Sequence, residues 1–244
     1  MNTKPYRFSW NHFPDVVLHA DQTAVKKHFS YTAAKSGDLD AASELVNDTI
    51  SEDAVVEIKK ITGNRRPFLV SAHAYEQAGV NAIPEVLSDR LSEKTGFPVE
   101  SSIVQINVVR HTGANGFARL ARQALFEGSV VTGTDYFLVD DFVGQGGTLA
   151  NLRGFIEFNG GTVIGATSLT GRADSAKITL EDQQLKELRS RHGQALQDWW
   201  RDRFGHGFDS LTQSEARYLA RIEDADKIRD RIIAEEQTGD CRTV

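Results

Sequence analysis

Apolar positions along this chain recur with two periods, and the change from one to the other predicts its elements. Phe68 to Ala72, Tyr136 to Val139 and Thr162 to Leu169 are short runs rich in β-branched and aromatic residues, as expected of strands buried on both faces. Val99 to Val109 alternates and then turns apolar, which predicts a further strand. Helical spacing fills the intervals. Asp21 opens a stretch with Val25, Phe29 and Tyr31 on one side and Lys26 and Lys27 on another, closed by Gly37. Asp38 caps a second stretch to about Asn47 that buries Leu39, Ala42, Leu45 and Val46. Residues 54 to 61 fit a helix or an edge strand. Pro84 opens a helix to about Thr95, stopped by Gly96 and Pro98. Leu149, Leu152, Ile156 and Phe158 predict another, stopped by Gly160 and Gly161. Residues 179 to 204 and 212 to 236 read as two amphipathic helices, with Thr212 and Glu215 forming a capping box for the second. Trp199 and Trp200 read as core or interface.

Strand, loop and helix in alternation predict an α/β fold with a doubly wound, mainly parallel sheet. The expected division is a helical N-terminal extension over residues 1–53, a core over 54–175 and a helical C-terminal extension over 176–244. The first twenty residues carry Tyr6, Phe8, Trp10, Phe13, Val16, Val17 and Leu18. So much apolar surface predicts docking on the core.

The candidate chemistry lies in YFLVDDFVGQGGTL, residues 136 to 149. A strand ends on two carboxylates, Asp140 and Asp141; Gly144, Gly146 and Gly147 bend the chain up to Thr148, and a helix begins. Glycines let successive N–H groups converge, and a helix N-terminus adds its positive dipole end, which makes a phosphate socket. Two neighbouring carboxylates can accept hydrogen bonds from vicinal hydroxyls. Phosphate beside a cis-diol describes ribose 5-phosphate. A GxxxxGK loop is excluded because no lysine follows Gly147, and GxGxxG fails because its third glycine falls on Leu149.

VDDFVGQGGTL resembles the phosphoribosyl-pyrophosphate (PRPP) motif of the type I phosphoribosyltransferases. The resemblance covers about residues 54 to 172 and implies that fold. It implies that Asp140 and Asp141 hold the ribose hydroxyls and act in catalysis, and that Gly144, Gln145, Gly146, Gly147 and Thr148 hold the 5-phosphate. It also implies Mg2+, touched by Asp140 and Asp141 indirectly or through water. Pyrophosphate would meet His73, Tyr75 and Glu76 after the first core strand, and Arg110, His111 and Arg119 from a basic loop before the motif. Gly144 and Gln145 depart from the family's small or hydroxylated residues at those positions; backbone donors survive, a side-chain hydroxyl does not. Gly144 also cannot supply the acid that relatives acting on 6-oxopurines use there.

The function implied is transfer of ribose 5-phosphate from PRPP to a nucleobase or similar nitrogen acceptor. The alternatives are a PRPP or nucleotide sensor without turnover and a hydrolase on the same fold. The charge of −6 over 244 residues argues against a broad nucleic-acid footprint. One cysteine, Cys241, excludes an internal disulfide. No apolar run of membrane length and no signal-peptide pattern is present, so a cytoplasmic protein is expected. The C-terminal helices offer a surface for a homodimer.

Overall fold

The computed structural model describes residues 4–72, 75, 76, 79–107 and 115–240. In chain order the elements are β1 (Val17–Ala20), α1 (Gln22–Lys27), α2 (Tyr31–Lys35), α3 (Leu39–Thr49), α4 (Glu52–Thr62), β2 (Phe68–Ser71), β3 (Tyr75–Glu76), β4 (Gly79–Val80) and α5 (Ile83–Thr95). There follow β5 (Val99–Glu100), β6 (Val104–Gln105), α6 (Gly116–Ala121), β7 (Phe126–Glu127), β8 (Asp135–Val143), α7 (Gly147–Phe158) and β9 (Thr162–Gly171). The chain closes with α8 (Ala173–Ala176), α9 (Asp182–Phe204), a 3-10 turn at Phe208–Ser210, α10 (Gln213–Ala220) and α11 (Ala225–Asp240).

Five strands form the main sheet in the order β1-β9-β8-β2-β5, and every pairing in it is parallel. The α/β class read from the alternating pattern is the class observed. Successive residues of the central strand face opposite layers. Phe137 and Val139 join Leu45, Ile58 and Leu87 under α3, α4 and α5, while Tyr136 and Leu138 join Leu149, Leu152 and Ile156 of α7. Burial on both faces is why this strand reads as an unbroken apolar run.

Local chemistry accounts for the helices. Asp38 accepts the Ala41 N–H to start α3, and Ala42, Leu45 and Val46 are buried as expected, whereas Leu39 is exposed. The ambiguous stretch 54 to 61 is helix: Ser51 caps α4 by accepting the Ala54 N–H. Glu52 and Asp53 lie in its first turn and Lys59 and Lys60 in its last, matching the dipole.

Five expectations need correction, the first being that the helical stretch from Asp21 to Gly37 is two helices, α1 and α2, parted where His28 takes an extended backbone. The N-terminal segment supplies a strand, β1, hydrogen-bonded to β9 as an edge of the main sheet; its run is too short to stand out from the apolar stretch before it. Of the strand expected over 99 to 109, residues 108 and 109 lie outside the described residues, and the rest is two strands, because the chain bends at Ser102, whose N–H is taken by Glu100 Oε1 at 2.6 Å. β5 pairs with β2, and β6 pairs antiparallel with β7 outside the main sheet. Residues 179 to 204 are interrupted at Gly193, which has φ 70 and ψ 176. Residues 212 to 236 are α10 and α11 rather than one helix.

A third apolar cluster joins α6 to the C-terminal helices around Trp200, Phe204, Phe208, Leu196 and Leu219. The N-terminal segment is docked as its composition predicts. Trp10 Nε1 donates to Leu211 O at 2.7 Å, and the Arg153 guanidinium lies 4.6 Å from the Trp10 ring. Among the described residues no helix is long and apolar enough to cross a membrane.

Candidate functional site

Sheet topology decides where a ligand can enter. After β2 the chain crosses by α5 to β5 on one side; after β8 it crosses by α7 to β9 on the other. Crossovers of one hand running in opposite directions put their helices on opposite faces, which opens a crevice between the ends of β2 and β8. A cleft of about 210 Å³ lies there, lined by Ala72 and Asn81 beyond β2, by Asp140 and Asp141, and by Gly144 through Thr148 beyond β8.

β8 runs on through both acids to Val143, four residues past the expected strand end at Val139. The carboxylates are therefore held in the sheet, each residue only 8% exposed. Asp140 Oδ1 accepts the Asp141 N–H at 2.8 Å. Burial, and then the charge of Asp141, push the Asp140 carboxyl well above the usual carboxylate range. Asp141 is balanced differently: Lys35 Nζ from α2 donates to its Oδ2 at 2.9 Å. Lys26 of α1 stands 4.4 Å from the Phe142 ring centroid, and Tyr31 completes a wall built by the N-terminal helices.

The glycine bend is shaped by its neighbours. Gly146 has φ 81, a left-handed conformation that side chains resist. It also packs against Ile178 and Thr212. α7 begins at Gly147, so the N–H groups of its first turn have no carbonyl partner within the helix. Thr212 Oγ1 donates to Gln145 O at 2.5 Å. Arg7 donates to both oxygens of Glu215, at 2.6 and 3.0 Å, and reaches Asn151 Oδ1 of α7 at 2.5 Å and Gly147 O at 3.4 Å. Glu215 Oε2 in turn accepts the Thr212 N–H at 2.9 Å. Both terminal segments thus grip the bend. Gly154 permits this approach, since a Cβ there would sit 1.9 Å from Tyr6 O.

Asp140, Asp141, Gly144, Gln145, Gly146, Gly147 and Thr148 all line the cleft, and so does Arg119. The backbones of Tyr75 and Glu76 form β3, paired with β4. His73, Arg110 and His111 lie outside the described residues. Asn81 is buried, and its Oδ1 accepts the Ile83 N–H at the start of α5. Sequence reasoning missed Arg7, Lys26, Tyr31 and Lys35. The Lys26–Lys27 pair looked like a solvated helix face, and nothing local to Arg7 or Lys35 marks its partner.

The resemblance places Mg2+ beside Asp140 and Asp141. Asp141 is neutralised by Lys35, and Asp140 is driven toward its protonated form. Among the described residues no group of three His, Cys, Asp or Glu side chains converges. An ion held as the resemblance implies, through water and substrate oxygens, needs no such group.

No protein-family model matches the chain. Over 228 residues, 93% of its length, it is 40% identical to Protein TraN of Escherichia coli, of which the match covers 51%. Over 151 residues, 62% of its length, it is 37% identical to an uncharacterized protein of Haemophilus influenzae, covering 34% of it. The chain spans about half the length, or less, of these curated relatives. Among solved structures it is similar to an adenine phosphoribosyltransferase, with TM-score 0.34 and 11% identity over 56% of this chain and 71% of that one. It is also similar to the orotate phosphoribosyltransferase of Mycobacterium tuberculosis, with TM-score 0.30 and 17% identity over 58% and 78%. Those scores are too low to carry an assignment; the sheet order and the cleft stand on the chain's own geometry.

Proposed function

We propose that the cleft takes the ribose 5-phosphate half of PRPP and that the protein is a phosphoribosyltransferase acting on a nitrogen acceptor. One observation carries this reading: a buried carboxylate pair, a glycine bend and the first turn of α7 line a single cleft at the switch point of a parallel sheet. The N–H groups of Gly147 and Thr148, with the Thr148 hydroxyl, would donate to the 5-phosphate. Asp140 and Asp141 would accept from the ribose hydroxyls. In the reaction the bond from carbon 1 to the diphosphate oxygen breaks, and its electron pair leaves with pyrophosphate. The acceptor nitrogen bonds to carbon 1 and its proton passes to water. Positive charge on the ring is stabilised by the Asp141 carboxylate, and negative charge on the leaving group by Lys26 and Lys35, in a site arranged before the ligand arrives.

The Lys35–Asp141 ion pair favours a second reading, a sensor that binds PRPP without turning it over, because the diol has to displace a cation already seated on one acid. Incubation with PRPP and a panel of nucleobases, following pyrophosphate release, separates the two. Release with at least one base is the expected result. Binding of PRPP by calorimetry with no release for any base selects the sensor, and absence of binding removes both.

A further inference from the structure

Arg119 lines the same cleft and meets the glycine bend at Gly144. A Cβ built on Gly144 would sit 2.3 Å from Arg119 Nη1, so the guanidinium occupies the space that a side chain at position 144 would need. Arg119 is half-buried, and a second guanidinium, that of Arg172, is near enough that it joins burial in easing the Arg119 proton off. A guanidinium set against the loop that leads into the first turn of α7 adds its charge to the positive end of that helix, a setting that favours an anion. The arginine is also held in place. α6 is capped by Asn115, which accepts the Ala118 N–H at 2.9 Å. Its start at Gly116 is pressed against the Tyr218 ring, 2.3 Å from a built Cβ. Phe117 meets that ring edge-on at 5.2 Å, and Arg122 pairs with Glu235 of α11 at 3.1 Å.

We propose that Arg119 is a ligand-binding residue for the terminal phosphate of a ribosyl phosphate, supplying across the cleft the side-chain donor that Gly144 lacks. It thereby makes the site specific for phosphorylated sugars. This rests on the reading of the bend as a phosphate socket. It differs from the expectation that Arg119 serves pyrophosphate, because the guanidinium meets the bend itself. The C-terminal helices are then part of the anion site, since they fix α6.

The test is a double-mutant cycle in ribose 5-phosphate affinity, measured by calorimetry on the full chain. Gly144 has an ordinary backbone conformation, so Gly144→Ala is tolerated and its methyl displaces the flexible end of Arg119. Arg119→Gln and Gly144→Ala should each weaken binding about 10- to 100-fold, the range expected for loss of a charged hydrogen bond. The double variant should be no weaker than the worse single one, and Arg119→Lys should recover part of the loss. Unchanged affinity in Arg119→Gln, or losses that multiply in the double variant, would overturn the assignment while leaving the ribosyl-phosphate reading standing. If the unsubstituted chain bound no ribose 5-phosphate, the reading itself would fall and this inference with it.

Discussion

Asp140 is a carboxyl that folding places in unfavourable surroundings. Burial comes first and the neighbouring Asp141 second in raising its affinity for a proton. The folded chain therefore binds more protons than the unfolded one between the ordinary carboxylate range and the raised value. In that window stability falls as pH rises, and below it the penalty vanishes. Asp140→Asn keeps the shape and removes the charge. It should stabilise the protein by about 1–2 kcal/mol near neutral pH, or about 2–8 °C in Tm for a chain of this size, while PRPP binding is lost. Thermal melts of both proteins from about pH 4 to about pH 8 should converge at the acid end, where the carboxyl is protonated. Parallel curves with no convergence would show that Asp140 carries no such burden. The identity of these acids and of the glycines after them was legible in fourteen consecutive residues. Which acid would be paired was not, because Lys35 lies 106 positions away.

At the scale of elements, the bend before α7 is held by its flanks. The Arg7–Glu215 pair is 2% exposed on both sides, and removing one member of a buried pair leaves the other charged in low dielectric. Arg7→Met should cost about 3–5 kcal/mol. Glu215→Leu also removes half of the capping box on Thr212, adding about 1 kcal/mol. The double variant, with no stranded charge, should be less destabilised than the sum of the single ones, measured by urea unfolding. Strict additivity would mean that the two side chains do not act as a unit. Half of this brace was readable: Thr212 followed three residues on by glutamate is a local signal, and the capping box is present. The other half was not, since Arg7 lies 208 positions from Glu215. The broken strand at Ser102 and the kink at Gly193 escaped for another reason: each depends on one backbone turn within a stretch whose apolar pattern continues on both sides.

At the scale of the molecule, folding buries two histidines and holds them neutral near neutral pH. His19 on β1, whose Nδ1 accepts the Ser51 N–H at 3.2 Å, is pushed down by burial from 6.5 to about 4. His206, beyond α9, is pushed down by burial and by the Arg7 charge to about 3. Both values are depressed on folding, so the unfolded chain binds more protons below about pH 6.5 and stability falls as pH falls through that range. The combined loss is on the order of a few kcal/mol by the time His19 protonates. His206→Gln should flatten the slope of unfolding free energy between about pH 6 and about pH 4. An unaltered slope would assign the acid sensitivity elsewhere.

The sequence by itself determined the α/β class, the strand–acid–glycine–helix unit and the caps of α3, α5 and α10, because each depends on residues within one or two turns of each other, where periodicity and capping act. Only the tertiary structure decided that β1 closes an edge of the sheet and that α1 and α2 wall the cleft with Lys26, Tyr31 and Lys35. It alone decided that Arg7 and Glu215 grip the bend and that Arg119 fills the space beside Gly144. Those relations join distant segments through burial and charge. The pattern of any one segment marks the face it buries, and it does not record which other segment covers it.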